Sequence, residues 1–241
     1  MIPIIYENDE IYVINKPAGL AVQGGQGIVH SVDRDFAEQT GSKVFLVHRL
    51  DKDTYGLMVV AKTPLAAAKW TKLIGSKAVQ KEYIAICAGR MPSKSGVIRE
   101  EIIQHGVKKE AVTHYQVEKE WTVECKKGEE TPNQVRGDST VLGDSTVRGD
   151  STVRGDSCHA ELVSASTIPM CQLRLKLETG RMHQIRIHLA KNGCPIAGDD
   201  QHGNFKLNKL LKKACGIKRL QLCSARLTLP LPDGIFELPQ E

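Results

Sequence analysis

The chain has 241 residues, of which 41% are hydrophobic and 25% charged, and its net charge is +5 at pH 7. This composition is that of an ordinary globular protein, and no apolar run approaches the ~18 residues that a membrane-spanning helix needs. The N-terminal stretch MIPIIYENDEIYVI lacks the basic start and cleavage site of a secretory signal. We therefore expect a cytoplasmic protein that does not enter a membrane.

The net charge and the cysteine spacing indicate which partners and metal sites the chain could have. The excess of basic residues, 33 against 28 acidic ones, is compatible with a nucleic-acid partner without requiring one. The seven cysteines never form a Cys-x-x-Cys pair, the close spacing typical of structural zinc. We expect reduced, mostly buried thiols and no metal site.

The first half of the chain indicates short strands joined by turns. Two helices are expected there, one over Val29–Gln39 and one from Thr63 to about Lys77, with Thr63 as the N-cap and Pro64 at the first helical position. The glycines at 24–27 lack the spacing of a phosphate-binding loop, so we predict a flexible loop. The strands predicted in this half are Ile2–Glu7, Glu10–Lys16, Val44–Val47, Gly56–Lys62, Lys81–Ala88, Val97–Ile103 and Val112–Trp121.

From Val135 the sequence changes to four similar hexads, VRGDST, VLGDST, VRGDST and VRGDSC, which end at Cys158. One valine per hexad buries too little apolar surface for a β-helix. We predict that residues 126–168 form a low-complexity, disordered insertion within a single domain of residues 1–241. The Arg-Gly-Asp triplets would suit an adhesion protein, but an adhesion protein has to be exported from the cell. The sequence shows no secretory signal.

Regular structure is predicted again from Met170. The alternation of apolar and charged residues over Met170–Leu177 is typical of a half-buried strand, and Leu220–Leu229 is a second strand. Between them, helices are expected over Arg181–Lys191 and around Lys206–Ala214. The pattern predicts an α+β fold, with a mixed, mainly antiparallel sheet and a few flanking helices.

Three segments contain the candidate chemistry. HRLDKDTYGL (48–57) places Asp51 beside a fixed cation, where it could act as nucleophile or proton acceptor. GRMHQIRIH (180–188) supplies Arg186, whose planar charged fork suits a carboxylate, and such a partner would keep Asp51 ionised. KEY (81–83) supplies the phenol of Tyr83. Taken singly, these residues could equally be a turn acid, a surface cation and a sheet tyrosine.

The chain resembles the RluA-type family of pseudouridine synthases. The segments that carry the resemblance occur in the family's order and cover nearly everything outside the predicted insertion. They are INKPAGLAV (14–22), HRLDKDTYGLMVVAKT (48–63), KEYIAICAG (81–89), ETGRMHQIRIHLAKNGCPIAGD (178–199) and LQLCSARLTLPLP (220–232).

The resemblance implies a cofactor-free isomerase that converts uridine in structured RNA to pseudouridine, acting on large-subunit rRNA or, as second choice, tRNA. It implies that Asp51 is the catalytic acid, that Tyr83 stacks near the target base as a candidate proton acceptor, and that Arg186 pairs with Asp51. It also implies that Arg49 helps to displace the target base from the RNA stack. Whether Asp51 attacks the sugar or assists removal of the C2′ proton stays open. A monomer is expected.

Three positions depart from the family pattern. Tyr55 stands where Ser or Thr is usual, and His202 replaces a common tyrosine. The histidine usual in the last segment is missing at Cys223–Ala225. An idle RNA-binding protein that kept the fold is the rival interpretation, and the intact Asp51, Tyr83 and Arg186 argue against it.

Overall fold

The computed structural model describes residues 1–104, 106–125 and 167–239. Across these residues, ten strands form one sheet. The strands are β1 (Ile4–Glu7), β2 (Ile11–Lys16), β3 (Phe45–Leu46), β4 (Tyr55–Ala61), β5 (Gln80–Ala88), β6 (Ser95–Gln104), β7 (Val107–Glu124), β8 (Thr167–Leu177), β9 (Leu222–Thr228) and β10 (Ile235–Glu237). Their order in the sheet is β1-β2-β4-β9-β5-β8-β7-β6, with β3 paired to β4 and β10 to β9. Every pairing is antiparallel except that of β4 with β9.

Four α-helices flank this sheet in the described part of the chain, so the predicted α+β fold is confirmed. They are α1 (Ala37–Thr40), α2 (Pro64–Gly75), α3 (Gln184–Lys191) and α4 (Phe205–Cys215). Helix α2 begins as predicted, because the Thr63 hydroxyl accepts a hydrogen bond from the Ala66 amide at 3.1 Å. None of the described helices is long and apolar enough to cross a membrane.

The two faces of the sheet bury different helices because side chains alternate along each strand. On one face, α3 packs through Ile185 and Leu189 into the largest apolar cluster. Helix α2 contributes Trp70 to a second cluster, and α4 contributes Leu207 and Leu211 to a third. Helix α3, which carries the candidate site arginine, is therefore fixed against the main core.

The helix predicted over Val29–Gln39 is shorter than expected. Ser31 is extended and forms a bridge with Ala21, so regular helical structure starts after it, as a π-helical turn over Val32–Phe36 that leads into α1. The chain then turns at Gly41, whose φ of 67° is the left-handed conformation that ends many helices. Strand β10 has no counterpart in the sequence prediction.

The repeat region falls between β7 and β8. Glu124 of β7 pairs with Thr167 of β8, so the two strands are neighbours up to the point where the description of the chain stops. The prediction of a disordered insertion at 126–168 lies outside the described residues, except that Thr167 and Ile168 belong to β8.

The cysteines in the described residues are all free thiols. Cys87, Cys171, Cys194 and Cys223 are buried, Cys125 is half-buried and Cys215 is exposed. Over residues 1–104, 106–125 and 167–239, no three His, Cys, Asp or Glu side chains are grouped as metal ligands would be.

Candidate active site

The turn that carries Asp51 connects β3 to β4 and is fixed by contacts on both sides. The Val59 amide donates to Nε2 of His48 at 3.0 Å, which folds the start of the turn back onto β4. The amide of Gly19 donates to the carbonyl of Lys52 at 2.9 Å. Asp51 lies between these two anchors, so its position is set by the loop that follows β2 as well as by its own turn.

Lys16 joins the same two loops from inside the protein. Its side chain has no exposed surface, and its ammonium group donates to the carbonyls of Pro17, Leu20 and Lys52 at 2.9, 2.8 and 2.9 Å. Burial lowers the pKa of Lys16 to about 8, although the negative charges of Asp53 and Asp51 oppose that shift. Sequence reasoning missed this residue because all three acceptors are backbone atoms.

His48 is neutral in this arrangement. Burial, and then the positive charge of Lys81, lower the pKa of His48 to about 3. The Nε2 atom of a neutral imidazole can accept the hydrogen bond from the Val59 amide. The first residue of the HRLD segment is therefore a structural support for the turn.

The other end of the turn depends on a close approach between β4 and β9. Gly56 has a φ of 112°, and a Cβ at this position would lie 2.4 Å from the carbonyl oxygen of Ser224. Ser224 in turn donates its hydroxyl to the carbonyl of Leu57 at 2.9 Å. A side chain at position 56 would push β9 away, so glycine is required where the turn enters β4.

Arg186 is buried and is bound by Asp199. Its Nε donates to one carboxylate oxygen of Asp199 at 2.8 Å and its Nη2 to the other at 2.7 Å, the two-point geometry that an arginine fork favours. Nη2 also donates to Gln201 Oε1 at 3.2 Å. Burial alone would raise the pKa of Asp199, but the hydrogen bonds from Arg186 and from the backbone amides of His202 and Gln201 bring it below its ordinary value.

The remaining guanidinium nitrogen of Arg186 faces Asp51. Nη1 lies 3.7 Å from Asp51 Oδ2, and the Asp51 side chain is 24% exposed, against 4% for Arg186. The expected contact between these two residues is therefore present. The two-point hydrogen bond of the guanidinium is made with Asp199, a partner that the sequence analysis did not predict. Asp51 keeps an accessible carboxylate beside a buried cation.

A pair of histidines completes the surroundings of Asp51. Nε2 of His183 lies 3.9 Å from Asp51 Oδ2, and Nδ1 of His183 lies 2.9 Å from Nε2 of His202. The His202 amide donates to Asp199 at 3.0 Å, so the loop that binds Arg186 also places this imidazole. Burial lowers the pKa of His202; the charges of Arg186 and His183 act in the same direction, and those of Asp199 and Asp51 oppose it.

Helix α3 begins three residues later than the sequence predicted. His183 precedes the helix in a left-handed conformation, with a φ of 54°. The Gln184 side chain causes the late start, because its Oε1 accepts from the Arg181 amide at 3.0 Å and from the Thr179 hydroxyl at 2.8 Å. Its amide nitrogen donates to Val112 of β7 at 2.9 Å, so the turn before α3 is tied to the sheet.

Tyr83 lies on β5, where it packs into the same apolar cluster as Ile185 of α3. Burial, together with the negative charge of Asp51, raises the pKa of the Tyr83 phenol well above its usual value. The phenol is thus neutral at physiological pH and able to donate a hydrogen bond. This shift weakens the expectation that Tyr83 accepts a proton.

Arg49 is exposed, and no ion pair of its guanidinium is found among the described residues. On the other side of Arg186, a cavity of about 260 Å³ opens next to Asp199. Asp53, Lys218 and Arg219 also line this cavity. Arg186 lines this cavity and Asp51 does not, so the buried guanidinium lies between the accessible carboxylate and a space large enough to receive part of a ligand.

Asp199 could have been found in the sequence. It closes the segment 178–199 that also holds Arg186, and a buried guanidinium needs a close carboxylate partner. Gly198 before it has a φ of 76°, and a Cβ there would lie 2.2 Å from the carbonyl oxygen of Arg219. The contact of His183 with His202 could not be predicted from the sequence, because it depends on the path of the loop that follows Asp199.

The family model described as RNA pseudouridylate synthase matches residues 10–191. Ribosomal large subunit pseudouridine synthase C of Rickettsia bellii (strain RML369-C) is 32% identical over 218 residues, which cover 85% of this chain and 58% of that protein. The synthase C of Salmonella typhi is 31% identical over 236 residues, covering 95% of this chain and 62% of that protein. The chain thus spans about three fifths of the length of these curated relatives.

Two solved human structures share the fold. RNA Pseudouridylate Synthase Domain Containing 1 superposes with a TM-score of 0.67 at 18% identity, covering 100% of this chain and 83% of that one. RNA Pseudouridylate Synthase Domain Containing 4 gives a TM-score of 0.63 at 23% identity, covering 99% of this chain and 88% of that one.

Proposed function

Because the chain belongs to the RNA pseudouridylate synthase family, as the RluA-type resemblance predicted, we propose that it isomerises specific uridines of structured RNA to pseudouridine. Large-subunit rRNA is the first expected substrate, since the curated relatives are named for it, and tRNA is the second. One observation carries the proposal above all: Asp51 is an accessible carboxylate whose neighbouring cation, Arg186, is already neutralised by a second acid.

Asp51 is the proposed catalytic residue. The reaction breaks the bond from N1 of uracil to C1′ of ribose, turns the base and rejoins it through C5. An anion beside C1′ can attack the sugar or remove the C2′ proton, and both routes start from an ionised Asp51. Arg186 Nη1 lies 3.7 Å away, so its positive charge faces the carboxylate without a tight hydrogen bond.

Arg186 and Asp199 act as one unit in this proposal. Asp199 fixes the guanidinium plane through two hydrogen bonds, so Nη1 faces Asp51 without further ordering. A charge fixed before the reaction costs no reorganisation when charge develops on the sugar and base. Arg186 is therefore proposed to stabilise the Asp51 carboxylate, and Asp199 to position Arg186.

His183 is proposed to present an N–H to Asp51. If Nε2–H of His202 donates to Nδ1 of His183, a ring hydrogen of His183 stands on Nε2, the atom 3.9 Å from Asp51. The pKa of His202 is lowered by burial, which keeps that imidazole neutral. His202 is thus proposed to select the tautomer of its neighbour.

Tyr83 is proposed to contact the target base as a neutral phenol. Its raised pKa makes a phenolate at neutral pH unfavourable, so the C5 proton is assigned to Asp51 or to water. A buried aromatic ring also supplies an apolar wall for the detached uracil, which has to stay away from bulk water.

Arg49 is proposed to act on the RNA before the chemistry. A uridine inside a helix has to leave the base stack, at a cost of a few kcal/mol. Arg49 is exposed two residues before Asp51, where its guanidinium could fill the gap that the base leaves. We propose further that the enzyme acts as a monomer in the cytoplasm, where bacterial ribosomal RNA is found.

The test is incubation of the purified chain with large-subunit rRNA and tRNA transcripts, followed by carbodiimide labelling and primer extension. The proposal predicts stops at one or a few uridines in the rRNA, and no stops with Asp51→Asn. Absence of pseudouridine from both RNAs with the unaltered chain would contradict it.

A further inference from the structure

Six basic residues follow Asp199 and Asp200 without an acidic residue among them. They are Lys206, Lys209, Lys212, Lys213, Lys218 and Arg219, and residues 201–220 contain no Asp or Glu. We call these six residues the α4 basic surface. The whole chain has a net charge of +5, so this short stretch carries an excess comparable with that of the entire protein.

The helix presents its lysines to solvent. Leu207 and Leu211 of α4 are buried, at 1% and 0% exposure, and face the sheet. At about 100° per residue, the four lysines of α4 fall within an arc of about 120° on the opposite side. All six residues of the α4 basic surface are exposed.

The charges of the α4 basic surface are not neutralised by acidic side chains of the described residues, in contrast to those of several basic residues elsewhere on the protein. None of its six residues forms an ion pair with another described residue, whereas Lys62 pairs with Glu7 at 2.6 Å and Lys69 with Glu10 at 2.7 Å. The sheet likewise pairs Arg174 with Glu82 and Glu118. Unpaired, like-charged side chains repel one another, and a polyanion would relieve that repulsion.

The α4 basic surface is joined to the candidate active site. The Asn208 side chain donates to the carbonyl of Asp199 at 2.9 Å and accepts from the Gly198 amide at 3.0 Å. At the other end, Lys218 and Arg219 line the cavity beside Arg186. A strand of nucleic acid that enters this cavity therefore continues onto a positively charged surface.

An aromatic side chain stands at the start of this surface. Phe205 is the first residue of α4 and is 77% exposed, although its size would favour burial. Exposed aromatic rings beside basic residues are the usual combination in surfaces that bind single-stranded nucleic acid, where bases stack on the ring. Charge and aromatic exposure thus point to the same kind of partner.

We propose that the α4 basic surface binds the phosphate backbone of the substrate RNA outside the target nucleotide, with Phe205 stacking on an unpaired base. The inference rests on the proposed function for the identity of the polyanion. It extends that function by naming the part of this chain that binds the RNA flank. Single-stranded loops next to a duplex are the RNA elements that this combination fits best.

The test compares RNA binding by Lys209→Gln/Lys213→Gln with that of a matched control, Lys43→Gln/Lys72→Gln. The control removes the same charge from two exposed lysines that form no ion pair with described residues. Dissociation constants for a large-subunit rRNA transcript are measured from 50 to 300 mM salt. We expect about tenfold weaker binding by the first variant at 100 mM salt, and a salt dependence reduced by about 1.5 in the logarithmic slope.

Activity separates this inference from the proposed function. At saturating RNA, the turnover of Lys209→Gln/Lys213→Gln is expected to match that of the unaltered chain, with a raised KM. If the unaltered chain makes no pseudouridine, the proposed function fails, while the binding comparison still decides the role of the surface. Dissociation constants and salt slopes equal to those of the control would overturn the inference.

A second comparison tests the stacking contact. Phe205→Ala is expected to bind a uridine-rich single strand about tenfold more weakly than the chain with Leu65→Ala, a control that is 83% exposed near the start of α2. Equal binding by the two variants would remove Phe205 from the proposal. If the lysine variant loses binding to phosphatidylglycerol vesicles and keeps its RNA affinity, the partner is an anionic membrane, which overturns the assignment to RNA.

Discussion

Asp199, and not Asp51, makes the two-point hydrogen bond with Arg186. The Asp199 oxygens accept from Nε and Nη2 at 2.8 and 2.7 Å, whereas Asp51 lies 3.7 Å from Nη1. One cation thus serves two carboxylates in different ways. The buried acid neutralises and orients the guanidinium, and the more exposed acid is left free to react.

Asp199→Asn is expected to destabilise the protein by about 3 kcal/mol, because it leaves a buried guanidinium without its charged partner. The pKa of Asp199 is lowered in the folded state, so its contribution is present above its ordinary pKa of 3.8 and is lost as the pH falls through the folded-state value. Urea unfolding at pH 7 and in acid measures both effects. Asp200→Asn, at an exposed neighbour, is the control; equal stability of the two variants would contradict the pairing.

His202→Phe is expected to slow the single-turnover rate about tenfold or more with little change in RNA affinity, because His183 loses the donor that orients it. His202→Gln should restore much of that rate, since its side-chain amide can donate to the same nitrogen. Rapid-quench assays measure the rate and filter binding the affinity. A rate of His202→Phe equal to that of the unaltered chain would indicate that His202 acts through packing alone.

Lys16→Met tests the buried lysine through the pH dependence of stability. The folded-state pKa of about 8 lies below the ordinary value of 10.5, so the unfolded chain binds more protons between these pH values. The free energy of unfolding of the unaltered chain should therefore increase relative to that of Lys16→Met as the pH rises from 8 to 10.5. A constant difference would show that the three carbonyl acceptors hold the pKa of Lys16 at its ordinary value.

Replacing residues 126–166 by a four-residue turn is expected to preserve folding and activity. Glu124 and Thr167 already pair across β7 and β8, so a short connection can join them, and long insertions between close strand ends cost little free energy. Thermal unfolding and the pseudouridine assay measure the result. Loss of activity with intact folding would assign the tract to RNA contact, and loss of folding would assign it to stability.

The sequence predicted the elements whose signals are local. Thr63 and Pro64 mark the start of α2, and the alternation over Met170–Leu177 marks most of β8. The start of α3 was misplaced because the Gln184 side chain bonds back to the preceding turn, which no periodicity reveals. The parallel pairing of β4 with β9 was also out of reach, since it joins residues far apart in the chain.

Prediction of the candidate site was limited in the same way. Asp51, Arg186 and Tyr83 lie in segments that carry the family resemblance, and the structure places them around one core. Lys16 was not identified because its three acceptors are backbone carbonyls. Asp199 was not identified because its partner, Arg186, had been assigned to Asp51. Side-chain chemistry was visible in the sequence, whereas the division of one cation between two acids was not.

Release of tritium from RNA labelled at C5 of uridine is the most direct test of the role of Asp51, because the proton at C5 leaves when pseudouridine forms. The account predicts release by the unaltered chain and by Asp233→Asn, a control at an exposed turn. It predicts no release by Asp51→Asn, with RNA affinity unchanged. Tritium release by Asp51→Asn at the rate of the control would contradict the central claim that this carboxylate performs the reaction.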